Sequence, residues 1–112
     1  MFELVQHGYY PLTEELPEIP SQPGVYMLSI RLANGVQHAF FASQTDNLRK
    51  SIAKYVRIDP AEINEDLLGY LLKYQCYFTY FVIPEVDYRT EIQKLLTHTV
   101  DPLSRLKIIN CN

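Results

Sequence analysis

Gly24-Val-Tyr-Met-Leu-Ser-Ile-Arg-Leu-Ala-Asn-Gly-Val-Gln-His-Ala-Phe-Phe-Ala42 is the stretch that decides the fold. Two runs rich in β-branched and aromatic residues meet at Asn34-Gly35, a pair suited to the left-handed backbone of a tight turn, so the stretch predicts a β-hairpin. From Asp46 the period changes. Leu48, Ile52, Tyr55 and Val56 recur at i, i+4, i+7 and i+8, the stripe of an amphipathic helix, with Asp46 as its expected cap. A second helix is predicted from Asp59-Pro60-Ala61-Glu62, where Asp can cap and Pro suits the first helical position, with Ile63, Leu67, Tyr70, Leu71 and Tyr74 as its stripe. Cys76-Tyr-Phe-Thr-Tyr-Phe-Val-Ile83, ended by Pro84, is short and aromatic and reads as a central strand. A last helix is expected from about Asp87 to Thr99, with Tyr88, Ile92, Leu95 and Leu96 inward.

Pro11, Pro17, Pro20 and Pro23 push their preceding residues away from helix, so 1–23 reads as an irregular lead-in, 24–99 as the core and 100–112 as a C-terminal tail. The expected element order is β-β-α-α-β-α: an α/β domain of three antiparallel strands flanked by helices. At 112 residues the chain has the length of one domain, and with 47% hydrophobic residues it can build a core without disulfides or metals.

Charge narrows the choice of partner. Ten Lys and Arg against 13 Asp and Glu leave a formal charge of −3, which disfavours nucleic acid, whose binding draws on neutralised phosphates. Arg49, Lys50, Lys54 and Arg57 form the densest basic cluster. At helical spacing they spread around the cylinder, with Lys50, Lys54 and Arg57 nearest a common side, and the simple reading is a solvated face. Cys76 and Cys111 lack metal-ligand spacing, and His7, His38 and His98 are scattered, so none is given a role. No run is long enough to span a bilayer or has the order of a signal peptide. A cytoplasmic protein without a membrane partner is the expectation, with oligomeric state left open.

Pro20-Ser-Gln-Pro-Gly-Val-Tyr-Met-Leu28, the Asn-Gly turn and Phe41-Ala-Ser-Gln-Thr-Asp-Asn-Leu-Arg-Lys-Ser-Ile52 resemble the GIY-YIG nuclease superfamily, including the N-terminal nuclease domain of bacterial excision-repair nucleases. The resemblance extends more weakly to Glu91 and covers about Pro20 to Leu96. It implies a three-stranded antiparallel sheet flanked by helices. It also implies phosphodiester hydrolysis with Mg²⁺ or another divalent metal: a tyrosine from each motif near the attacking water, a helical arginine on the phosphate and a later glutamate on the metal. Metal and arginine offset developing phosphoryl charge, and a phenol orients or deprotonates the nucleophile.

By that resemblance Gly24 and Tyr26 match the first motif and Glu91 the metal-binding position. Phe41 replaces the second tyrosine, Ser43 a glycine and Ser51 the arginine; the family's late asparagine has no aligned counterpart between Thr97 and Asn110. Serine cannot supply the forked, permanently charged donor of arginine. Lys54, three positions on, shares the face of Ser51 and is the replacement cation if the domain is active, whereas Arg49 lies on the opposite side. These losses point to a catalytically inactive GIY-YIG-like domain without a cofactor, binding a protein or acting as a regulatory module. The alternatives are a metal-dependent endonuclease using Tyr26, Lys54 and Glu91 in an altered arrangement, and a nucleic-acid binder that does not cleave. Tyr9-Tyr10 with Tyr70, Tyr74, Tyr77 and Tyr80 suits a binding surface as well as a core rim.

Overall fold

The hairpin forms where its sequence places it: β2 (Gly24–Arg31) and β3 (Gln37–Thr45) pair antiparallel. The computed structural model describes residues 5–57, 63, 65–99 and 109–110, with the backbone alone for 97–99 and 109–110. The turn holds three residues, Ala33 to Gly35. Gly35 N–H donates to Leu32 O at 2.8 Å and Leu32 N–H to Val36 O at 2.9 Å, and Gly35 takes φ +85°, a conformation costly to any residue with a Cβ. A bulge lies further along, because Leu28 pairs with Phe41 but Ser29 with Ala39, leaving Phe40 as an extra residue. The bulge interrupts the alternation of faces, so Phe40 and Phe41 both enter one core.

The sheet is wider than the three strands expected. Its order is β1-β4-β2-β3-β5, with β1 (His7–Pro11), β4 (Cys76–Val82) and β5 (Ile109–Asn110) added to the hairpin. The first four strands are antiparallel, and β5 joins β3 in parallel at Phe41 and Ala42. The lead-in is therefore partly a strand, and part of the tail is too. A register shift between His7 and Tyr10 breaks the period-2 pattern of β1, and Pro11 fits an edge, so no alternation announced the strand. Two residues of β5 are too few for any period. Only the α/β class of the expectation stands; strand number and element order are corrected.

Helices cover both faces. On one side α1 (Leu48–Arg57) and α2 (Glu65–Lys73) pack Leu48, Ile52, Tyr55 and Leu67 onto Tyr26, Leu28, Ile30, Phe41 and Phe78. On the other, α3 (Val86–Thr99) packs Ile92, Tyr88 and Leu96 against Val25, Met27 and Phe81. Neighbouring strand residues point to opposite faces, so Tyr26 and Val25 belong to different cores.

Local details differ from expectation in two helices. Asn47, and not Asp46, caps α1: its Oδ1 accepts the Lys50 N–H at 3.0 Å. In α3 Leu95 is 61% exposed, while Arg89 and Gln93 are buried beside Ile92. Tyr88, Ile92 and Leu96 face inward as expected, and the polar Arg89 and Gln93, in place of Leu95, complete the stripe. The expected cap of the second helix at Asp59 and Glu62 lies outside the described residues.

Candidate functional site

Gly24 stands at the start of β2 for a steric reason. A Cβ there would lie 2.1 Å from Phe81 O and 2.8 Å from Leu48 Cδ1, so only glycine lets β4 and the start of α1 come this close. Leu48 N–H, the first of its helix, donates to Gln22 O at 2.9 Å and fastens α1 to the segment before β2.

Two residues on, Tyr26 points under α1. It is 3% exposed, and its phenol shares a 2.8 Å hydrogen bond with the Tyr55 hydroxyl. Its ring lies 6.0 Å from that of Phe41 and 5.9 Å from that of Tyr55, and Phe41 meets Tyr55 edge-on at 6.2 Å. The three rings form one packed cluster. Phe41 is fully buried in the middle of the core, so the position where the resemblance expects a tyrosine is enclosed by protein. Ser43, directly across from Tyr26, is buried too and donates to Gln44 O at 3.3 Å.

Ser51 bonds through its Oγ to Thr45 Oγ1, which also accepts the Asn47 N–H at 3.1 Å. Its hydroxyl thus ties α1 to the end of β3. Lys54 Nζ stands 5.3 Å from the centroid of the Tyr55 ring, whose hydroxyl bonds Tyr26. Glu91 is elsewhere. It lies exposed on α3, across the sheet from Tyr26, with its carboxylate 3.8 Å from Lys94 Nζ. Among the described residues no three His, Cys, Asp or Glu side chains group to hold a metal ion. A lone carboxylate beside a lysine, with the sheet between it and the phenol, does not fit an ion that must act where Tyr26 acts.

No family model, no curated protein and no solved structure matches this chain. The chemistry is therefore read from the site alone.

Two residues without a role in the sequence reading organise this region. Tyr55 stood there only as part of an apolar stripe. A tyrosine on a buried helical face needs a partner for its hydroxyl, and that requirement is the signal that points to Tyr26. Arg89 is 4% exposed and donates through Nε to Gln44 Oε1 at 3.3 Å, through Nη1 to Ile83 O at 3.4 Å and through Nη2 to Asp46 Oδ1 at 3.1 Å. It binds α3 to the end of β3 and to the turn before α1, on the face opposite Tyr26. Arg49 is structural as well, since its Nε donates to Ile19 O at 2.8 Å.

A cleft of about 190 Å³ opens beside the ring cluster, lined among others by Tyr55, Leu71, Tyr74 and Cys76. Tyr26, Lys54 and Glu91 do not line it. Burial pushes the Cys76 thiol up to about 11, so at neutral pH it is a protonated, weakly nucleophilic wall of the cleft. The tyrosines divide between roles: Tyr10 and Tyr80 pack in and against the core, Tyr70 stacks on Phe40 at 4.8 Å, and Tyr9 and Tyr74 are exposed. His7 stacks on Tyr80 at 4.7 Å, and the His98 side chain lies outside the described residues. Among the described residues no helix is long and apolar enough to cross a membrane.

Proposed function

We propose that this chain is a degenerate GIY-YIG-like domain that has lost cleavage and binds a protein. The observation that supports it is the position of Tyr26. The phenol that would serve the attacking water is enclosed by Tyr55 and Phe41, and the sheet separates it from Glu91. Ser51 agrees, since it is spent on Thr45 and offers no charge to a phosphate, and loss of one preorganised charge-stabilising donor costs on the order of 10² to 10³ in rate.

A nuclease with an altered site needs Tyr26, Lys54 and Glu91 in one cleft. Lys54 lies against the ring of Tyr55, the partner of Tyr26, but Glu91 on α3, on the far face, argues against that arrangement. Divalent-metal titration by calorimetry tests the proposal. With Mg²⁺ or Mn²⁺, the wild-type chain and Glu91→Ala should give the same heats. Saturable binding that vanishes in Glu91→Ala would contradict it.

A further inference from the structure

The sequence reading takes the cations of α1 as a solvated face, and the fold turns all four of them away from the core. At about 100° per residue, Arg49, Arg57, Lys50 and Lys54 fall within an arc of about 140°, with Ala53 inside it, while Leu48, Ile52 and Tyr55 cluster on the opposite side. Arg49, Lys50 and Arg57 are exposed and Lys54 is half-exposed. The ten residues of α1 include no Asp or Glu. Four of the chain's ten Lys and Arg are thus gathered on one helix face of a protein with formal charge −3. The excess of negative charge resides wholly on the rest of the chain.

We infer that the outer face of α1 docks an acidic segment of a partner protein, with carboxylates laid along Lys50, Lys54 and Arg57. The inference rests on the reading of a non-cleaving, protein-binding domain and names the chemistry of its partner. Charge complementarity selects the sign, and the dimensions select a short peptide over a nucleic acid. Ten helical residues span about 15 Å, enough for a few carboxylates. A duplex carries a charge about every 1.7 Å and runs on past both ends of the helix. At one border it would meet acid: Glu18 lies 4.0 Å from Arg49, and Glu14 and Glu15 are exposed on the same lead-in. Carboxylate pairing with a face of this kind steers association and sets the choice of partner, and added salt weakens it.

Fluorescence anisotropy with a labelled eight-residue polyglutamate peptide tests the inference, with single-stranded DNA of equal charge as competitor. Saturable binding that weakens with salt is expected, reduced about tenfold by Lys50→Glu with Arg57→Glu. Lys73→Glu with Lys94→Glu changes the net charge equally on other surfaces and should leave binding within about twofold. Lys50→Gln with Arg57→Gln, a milder change, should give a smaller loss in the same direction. No binding, an equal loss in both reversed pairs, or tighter binding of the DNA would overturn the inference. Each of these outcomes is distinct from metal-dependent cleavage, which would instead remove the reading beneath it.

Discussion

Tyr26 carries the functional argument because its hydroxyl is satisfied inside the protein. Tyr26→Phe removes its bond to Tyr55 and should lower stability by about 1 kcal/mol in urea unfolding, since a buried hydrogen bond contributes about that much net. A stability gain would mean that the pair is strained. Arg89 is a larger commitment. Arg89→Met leaves Gln44 Oε1, Ile83 O and Asp46 without their donor and should cost about 2 to 3 kcal/mol, whereas Asp46→Asn, at a carboxylate 95% exposed, should cost about 0.5 kcal/mol or less. Equal losses would show that the ion pair, and not the buried guanidinium, holds α3 in place. Cys76 gives a pH dependence. Its folded-state thiol titrates near 11 against 9.0 for an ordinary one, so between those values the unfolded chain releases a proton that the native chain keeps. That stabilisation is full below about pH 9 and fades as pH rises towards 11, and Tyr80, raised first by burial and then by Tyr10, acts in the same direction. In a Cys111→Ser background, urea midpoints should fall between about pH 8 and pH 10.5, and fall less in Cys76→Ala. An identical decline in Cys76→Ala would refute the assignment.

Among the elements, α1 is set in place by its first turn. Asn47→Ala should cost about 1 kcal/mol through the lost cap and Asp46→Ala clearly less, although either residue could serve as the cap by composition. Urea unfolding of the two variants decides the matter, and the reverse order would restore Asp46 as cap. The same turn shows what could be read in advance. The hairpin, the stripe of α1 and the aromatic run of β4 were legible because local period and turn chemistry determine them. The cap was not, because Asp46 and Asn47 differ only in what else lies near: Arg89, distant in sequence, takes the carboxylate of Asp46. The inward face of α3 was legible at Tyr88, Ile92 and Leu96 and misplaced only at Leu95, for a related reason. Arg89 is buried through tertiary partners that periodicity does not register, and Gln93 is buried on the same side, whereas Leu95 is exposed. β1 was hidden by its register shift and by Pro11.

At the scale of the molecule, the sheet is a partition. Tyr26, Phe41 and Ser51 lie on the side of α1 and α2, and Glu91 lies with α3 on the other. Residues that the resemblance would group as one site are thus split by strand alternation and by the packing of α3, which linear order does not encode. Gly24 belongs to this scale too, since β4 and α1 both close upon it. Gly24→Ala should cost more than about 3 kcal/mol through a clash with backbone, against about 1 kcal/mol for Gly35→Ala, where φ is positive but space is open. Comparable urea midpoints for the two would contradict that close approach. The most direct test of the proposal that this domain does not cleave is the nicking of supercoiled plasmid in Mg²⁺ or Mn²⁺, wild type beside Glu91→Ala. The expected result is no nicking by either protein; nicking by the wild type that disappears in Glu91→Ala would contradict it.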